Sequence, residues 1–338
     1  MIFSIKTSKS KVMEKNIIIG VDVSSTTLDI CIKEMGELKS LVVKNKVLEI
    51  VRFLKPYTGQ KVIIAMENTG RYNWPLLEAL CKFSYTVYVI PPLHLKKSLG
   101  LSRGKNDKID AQRILQFIDK NHDTLEPWVC PSATIQKLKV LLTERNYRIK
   151  TKRQLCGIRN DYKLMKSIGL TKPLESMNKK LIEELDKQIL RLEQEMQKLI
   201  SEDMELNVQA KLIQSVPGVG KVLCWTMLCK TNGFKSILDP RKMACYCGVA
   251  PFEYQSGTSV YRKPRVSVYA DKYLKSVLHL AAMSAIRLNN DLKIYYLRKV
   301  EEGKNKMSVL NAVRNKMIHR MYAVIKNQSP YKNHLILS

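Results

Sequence analysis

The chain is 338 residues long and carries 58 Lys and Arg against 30 Asp and Glu, a formal net charge of +28 at pH 7. A cationic surplus of that size is hard to carry without a polyanion to neutralise it, which makes nucleic acid the expected partner. Its 45% apolar content and lack of long Gly/Ser tracts argue against a disordered chain, and no apolar run approaches the roughly 18 residues of a membrane span.

Residues 1–16 are basic but lack the apolar stretch of a secretory signal. A cytoplasmic, nucleoid-associated protein is therefore expected, with Met1 and Met13 both candidate starts. Residues 16–23 (NIIIGVDV) form a continuous apolar run, and residues 27–33 (TLDICIK) alternate after a short polar turn, the pattern of a β-hairpin. A third strand is expected over residues 39–43, a helix over 47–54, a buried strand over 61–66 and another over 86–90. Three β segments, a helix, a strand, a helix, a strand and then helices are the order of a ribonuclease-H-like (RuvC-like) α/β fold, whose central-strand acids gather on one edge.

Acids are scarce in this chain, and four of them stand at such places. Asp22 lies on the first strand, Glu67 closes the strand before Asn68-Thr69-Gly70, and Asp107 and Asp110 open the next helix. The i, i+3 spacing puts the last two on one helical face. Phosphodiester chemistry uses two Mg²⁺ ions about 3.5–4 Å apart, and such hard cations take carboxylate oxygens. A lone Asp-x-x-Asp more often caps a helix. All four in context favour Mg²⁺, with Mn²⁺ as a substitute.

The eight cysteines, Cys31, Cys81, Cys130, Cys156, Cys224, Cys229, Cys245 and Cys247, include no CxxC pair. They are read as reduced core residues. Residues 132–208 contain only Gly157, Gly169 and Pro173 as breakers and read as long helices. Leu181, Leu185, Ile189, Leu192, Met196 and Leu199 recur at spacings of three and four, as in an antiparallel hairpin or coiled-coil seam. Arg145, Arg148, Lys150, Lys152 and Arg153 form a basic run there, either an RNA-backbone site or a solvated face. Val216-Pro217-Gly218-Val219-Gly220-Lys221 resembles a helix-hairpin-helix turn. Gly218, Gly220 and Lys221 could hold a DNA phosphate there, or the turn could simply join two helices. Arg262, Lys263, Arg265, Lys272 and Lys275, interleaved with Tyr261, Tyr269 and Tyr273, are further candidate nucleic-acid contacts.

Gly20-Val21-Asp22-Val23-Ser24, Met66-Glu67-Asn68-Thr69-Gly70 with Tyr72, and Lys105 to Ala111 resemble the DEDD signature of IS-one-ten-type transposases, RuvC-like recombinases guided by a bridge RNA. Val216 to Gly220, Tyr246-Cys247-Gly248-Val249-Ala250-Pro251 and Gln255-Ser256-Gly257 resemble that family's second block, so the likeness spans nearly the whole chain. It implies a serine nucleophile, and Ser256 matches that position, in a polar segment expected to be a loop; a plain Ser-Gly turn is the competing reading. The family's Gly-containing basic stretch downstream of the serine is replaced here by residues 262–272 (RKPRVSVYADK). The resemblance further implies DNA partners (element ends and target), a structured noncoding guide RNA, and homodimers pairing into tetramers.

The expected organisation is a RuvC-like domain over 1–130, a helical coiled-coil connector over 131–208 and a mainly α-helical transposase domain over 209–330. The expected activity is Mg²⁺-dependent strand cleavage and exchange through a phosphoserine. Two alternatives stay open: a RuvC-like junction endonuclease that uses water, and a non-catalytic nucleic-acid-binding protein. Residues 20–27 also resemble the phosphate loop of actin-like sugar kinases, but no second phosphate-binding half follows.

Overall fold

The computed structural model describes residues 16–98, 106–164, 169, 171–256 and 260–333. Met1, Met13, Lys105 and Gly257 lie outside them, as do the side chains of Ser256, Tyr261, Arg262 and Lys263. The chain divides into two compact units that meet at Cys130 and Pro131.

The first unit is built on a five-stranded sheet in the order β3-β2-β1-β4-β5. Its strands are β1 (Ile17–Val23), β2 (Thr27–Glu34), β3 (Glu37–Lys44), β4 (Val62–Glu67) and β5 (Thr86–Ile90). The first three run antiparallel as a meander, whereas β4 and β5 run parallel to β1. The helices are α1 (Val47–Leu54), α2 (Trp74–Leu80), α3 (Pro92–Ser98) and α4 (Asp107–Asn121). This is the ribonuclease-H-like order expected from the pattern of apolar runs.

Because β1 is covered on both faces, its apolar residues run without alternation. Ile17, Ile19, Val21 and Val23 pack with Ile50 and Leu54 of α1 and Leu76 and Leu80 of α2. Ile18, together with Ile63 and Ala65 of β4, packs with Ala111, Ile114, Leu115 and Ile118 of α4. Gly20 belongs to that second face. A Cβ there would stand 2.4 Å from the Ala111 carbonyl oxygen and 2.5 Å from the Leu115 amide nitrogen, so α4 lies directly on the β1 backbone.

In the second unit α5 (Ala133–Leu164) and α6 (Thr171–Glu202) form an antiparallel hairpin whose helices are each roughly 48 Å long. The pairing descends α6 as it climbs α5: Arg145 to Glu193 at 2.7 Å, Arg148 to Gln188 at 2.9 Å and Lys152 to Asp186 at 2.5 Å. The seam includes buried Ile189, Met196 and Ile200, while Leu181, assigned to it from spacing, is 54% exposed. Ile135, Leu138 and Leu142 at the start of α5 are buried in one core with α7 (Met204–Gln214), α8 (Lys221–Thr231), α9 (Pro240–Tyr246), α10 (Lys272–Ala285), α11 (Asp291–Glu301) and α12 (Lys306–Asn327). A two-stranded ribbon, β6 (Pro251–Ser256) with β7 (Val260–Val266), interrupts these helices.

Two cysteines depart from the reduced-core expectation. Cys81, just past α2, and Cys130 are exposed and joined by a disulfide, with Cα atoms 5.6 Å apart. The fold brings them together across 49 residues, a separation over which spacing carries no signal. Cys156 is also exposed, on α5. Cys31, Cys224, Cys229 and Cys247 are buried free thiols, and burial pushes the last three up to about 12.

The contact at Gly20 is open to test. Gly20→Ala puts a methyl group against backbone atoms that cannot rotate away, and overpacking of this kind costs about 1–3 kcal/mol. The urea midpoint of the first unit should fall accordingly, and an unchanged midpoint would show that α4 does not rest on β1.

Candidate active site

Strand register places the first two acids. Val21 of β1 is the parallel neighbour of Met66 of β4, so Asp22 and Glu67 follow at the same end of adjacent strands. Alternation then sets both on the face shared by Gly20 and Ala65, the face that α4 covers. The α4 helix starts at Asp107 because the Asn106 side chain accepts a hydrogen bond from the Lys108 amide at 3.2 Å, which caps the first turn. Asp107 and Asp110 lie in that turn.

Asp22 senses the other three acids. Asp22 is pushed up to about 6, first by burial, then by Asp110 and Asp107, with a smaller push from Glu67. A hydrogen bond at 3.1 Å from the Val23 amide opposes the rise. The structure thus gathers the predicted acids at one sheet edge without closing them into a cage. Among the described residues, no three His, Cys, Asp or Glu side chains are placed to hold a metal ion together. Asp110 Oδ1 is held by Arg113 at 2.8 Å, one turn along α4.

Several supporting residues escaped the sequence reading. Asp29 is the register partner of Asp22 on β2, and its carboxyl is raised by burial and then by Asp107. Asn73, 1% exposed, donates from Nδ2 to the Glu67 carbonyl at 2.8 Å, and its Oδ1 accepts from the Thr69 amide at 3.3 Å. Asn45 donates to the carbonyls of Ser24 at 2.8 Å and Tyr72 at 2.9 Å, tying the turn after β1 to the turn after β4. An asparagine beside a strand end was the available signal, but only the fold shows which carbonyls it holds.

In the second unit Ser256 is the last residue of β6, facing Val260 in the backbone register, and not part of a loop as expected. The ribbon carries Arg262 opposite Tyr254 and exposed Arg265 opposite Phe252; exposed Lys272 begins α10. The base of the ribbon is anchored on both sides. Asn311 donates to the Val249 carbonyl at 2.7 Å, and the Asp271 amide donates to the Tyr246 carbonyl at 2.9 Å. The Asp271 carboxylate takes Lys230 at 2.7 Å and the Tyr246 hydroxyl at 3.3 Å, and caps α10 by accepting from Leu274 at 2.8 Å. Burial works to raise this carboxyl, but the Leu274 amide and Lys230 outweigh it and hold it below its usual range.

Gly218 and Gly220 differ in role. A Cβ on Gly218, at φ +84°, would stand 2.5 Å from the Ala281 carbonyl, so this glycine serves close packing on α10. Gly220 precedes α8 with open space around it, and Lys221 is exposed.

Two family profiles match. The profile described as Transposase, of the DEDD IS110 group, matches residues 19–159, and that of the Transposase IS116/IS110/IS902 family matches residues 210–297. The chain carries the domains of an IS110-type transposase. It is 26% identical to the pilin gene-inverting protein of Moraxella lacunata over 322 residues, covering 93% of this chain and 97% of that protein. It is 25% identical to a 42 kDa protein of insertion element IS900 of Mycobacterium paratuberculosis over 163 residues, covering 47% of this chain and 41% of that one. The Thermus thermophilus RuvC structure aligns at 17% identity and TM-score 0.25, covering 33% of this chain and 99% of that chain. The transposase is thus a DNA-recombining enzyme by family, and its acid-bearing sheet lies within the first matched segment. No described helix is long and apolar enough to cross a membrane.

The crowding at Asp22 has a pH signature in metal-free buffer. Folded Asp22 keeps its proton to about pH 6, whereas the unfolded side chain releases it near 3.8. Between these values the folded state binds more protons, so this group's contribution makes stability fall as pH rises. Asp22→Asn should flatten that stretch of the urea-midpoint curve and leave the variant more stable than wild type above pH 6. An unaltered slope would mean that Asp22 is neither buried nor crowded.

Proposed function

We propose that this transposase cleaves and exchanges DNA strands through a phosphoserine intermediate, with Asp22, Glu67, Asp107 and Asp110 as the metal-binding acids and Ser256 as the nucleophile. The observation that carries the reading is the grouping of all four acids at one sheet edge, where Asp22 senses the other three. Their oxygen donors suit two Mg²⁺ ions, or Mn²⁺, and like-charge crowding of this kind is what a divalent cation relieves. When bound, the metal would stabilise charge on the attacking and leaving oxygens.

Ser256 supplies the oxygen. Its bond to phosphorus forms as the bond to the DNA 3′ oxygen breaks, leaving a 5′-phosphoserine, and the released 3′ oxygen takes the proton that serine gives up. Attack by the free 3′ hydroxyl of a partner strand then restores serine. Retaining the phosphate on the protein conserves the bond energy, which suits rearrangement better than hydrolysis; the Moraxella relatives are named for inverting a gene. Arg262, Lys263, Arg265 and Lys272, on or beside the ribbon, would hold phosphates near the serine.

Element ends and target would be the DNA partners, selected by a structured noncoding RNA from the element itself, as the motifs in both halves imply. Leu174, Met177 and Leu181 are exposed at spacings of three and four on α6, which supports pairing of subunits along the hairpin and tetramers on DNA. Work within the cytoplasm, on the nucleoid, follows from such substrates.

The test uses purified protein, Mg²⁺, DNA bearing the element flanks and RNA transcribed from the adjacent noncoding segment. Wild type should give a covalent protein–DNA adduct on a denaturing gel, and Ser256→Ala should give none while still binding the RNA. Asp22→Asn should lower strand transfer at least about 10²-fold, the scale of losing one charge-stabilising group. EDTA should remove adduct and strand transfer together. Cleaved DNA without an adduct would replace the serine with water, and an undiminished adduct in Ser256→Ala would overturn the assignment of the nucleophile.

A further inference from the structure

One groove in the second unit is unaccounted for by the proposed chemistry. It measures about 700 Å³ and runs between α5, the turn leading into α8, and α10. Its floor is apolar, with Ile149 from α5 and Leu280 from α10, the latter 67% exposed. Tyr273 stands at the wall, its hydroxyl donating to Asn146 Oδ1 at 2.8 Å. Lys150, Arg153 and Lys221 line the groove, all three exposed. Among the described residues no carboxylate pairs with any of them, whereas Arg145, which also lines the groove, is tied to Glu193 at 2.7 Å. The exposed apolar floor is unfavourable in water unless something covers it, and the three cations around it set the charge such a cover would carry.

We infer that this groove holds an unpaired DNA strand, with phosphates on Lys150, Arg153 and Lys221 and bases against Ile149, Leu280 and Tyr273. Charge complementarity selects a polyanion. A duplex would satisfy the cations but keep its base faces stacked inside and leave the floor bare, whereas an unpaired strand offers a base face for each stretch of apolar surface. DNA is chosen over RNA because strand cleavage and exchange release unpaired DNA, and a 2′-hydroxyl is not needed to fill a groove of cations over an apolar floor. The inference rests on the strand-exchange reading for where such a strand arises, and it adds a holding site for strands released by cleavage.

The test is fluorescence anisotropy of the full-length protein with fluorescein-labelled oligothymidylate of about 12 nucleotides, a length within the range of known single-strand sites. The triple variant Lys150→Gln, Arg153→Gln, Lys221→Gln should bind at least about tenfold more weakly. Its salt slope should drop by about 2, as three lost single-strand contacts at about 0.7 each require. Leu280→Ala should weaken oligothymidylate binding while leaving the salt slope unchanged, which a purely electrostatic surface would not show. Wild-type affinity in the triple variant would overturn the inference. So would tighter binding of oligouridylate than of oligothymidylate, or equal competition by a polyglutamate peptide, which would indicate an RNA or an acidic protein partner. Ser256→Ala should bind the oligonucleotide as wild type does, so a failed nucleophile assignment and a failed groove are distinguishable.

Discussion

The first unit depends on one close approach, the seating of α4 on the backbone of β1 at Gly20. Helices normally stand off a sheet by the thickness of two side-chain layers, but here the Ala111 carbonyl and the Leu115 amide occupy the space a Cβ would need. The contact fixes the height of α4 over the sheet, and the Asn106 cap fixes where the helix begins. Together they decide that the first turn, with Asp107 and Asp110, stands over the strand end that carries Asp22. At the other end of the helix Lys33 of β2 pairs with Asp119 at 2.6 Å, which holds α4 in line along the sheet.

The acids assembled in this way oppose the fold that assembles them. Burial and three carboxylate neighbours make Asp22 reluctant to ionise, and Asp29 is raised for related reasons. Some of that cost is offset locally, since Arg113 neutralises Asp110 and the Val23 amide supports Asp22. What keeps the acids together is the framework beneath them: the Asn73 amide on the Glu67 carbonyl and the Asn45 amide on the two adjoining turns. Charge-adverse sites of this sort are expected where function, not stability, sets the sequence.

Much of the first unit was legible because its signals are local. Apolar runs give the strands, Asp22 and Glu67 mark their ends, and Asn106 with two following acids marks a helix start. Asp29 was missed because its pairing with Asp22 depends on hairpin register, and Arg113 because its partner is set by helical geometry rather than by any motif. Ser256 was expected in a loop because Ser-Gly is turn-prone, yet the flanking Tyr and Val residues carry β preference, and the serine ends a paired strand. Cys81 and Cys130 could not be paired from spacing across 49 residues. The role proposed for Ser256 rests on the family motif, whereas those proposed for Arg262 and Lys263 rest on their charge and on their place along the ribbon.

The basic run on α5 shows most clearly how a one-dimensional reading misleads. As a sequence it is one patch of five cations, but a helix turns by about 100° per residue, so Arg148 and Lys150 point roughly 200° apart. Arg145, Arg148 and Lys152, at i, i+3 and i+7, form the stripe that meets Glu193, Gln188 and Asp186 of α6. Asn146, Ile149, Lys150 and Arg153, at i, i+3, i+4 and i+7, form the stripe along the groove beside α10. The first set is spent on holding the hairpin together, and its charge is compensated within the protein. The second set carries charge outward over an apolar surface, so the two stripes divide one basic sequence between architecture and recognition.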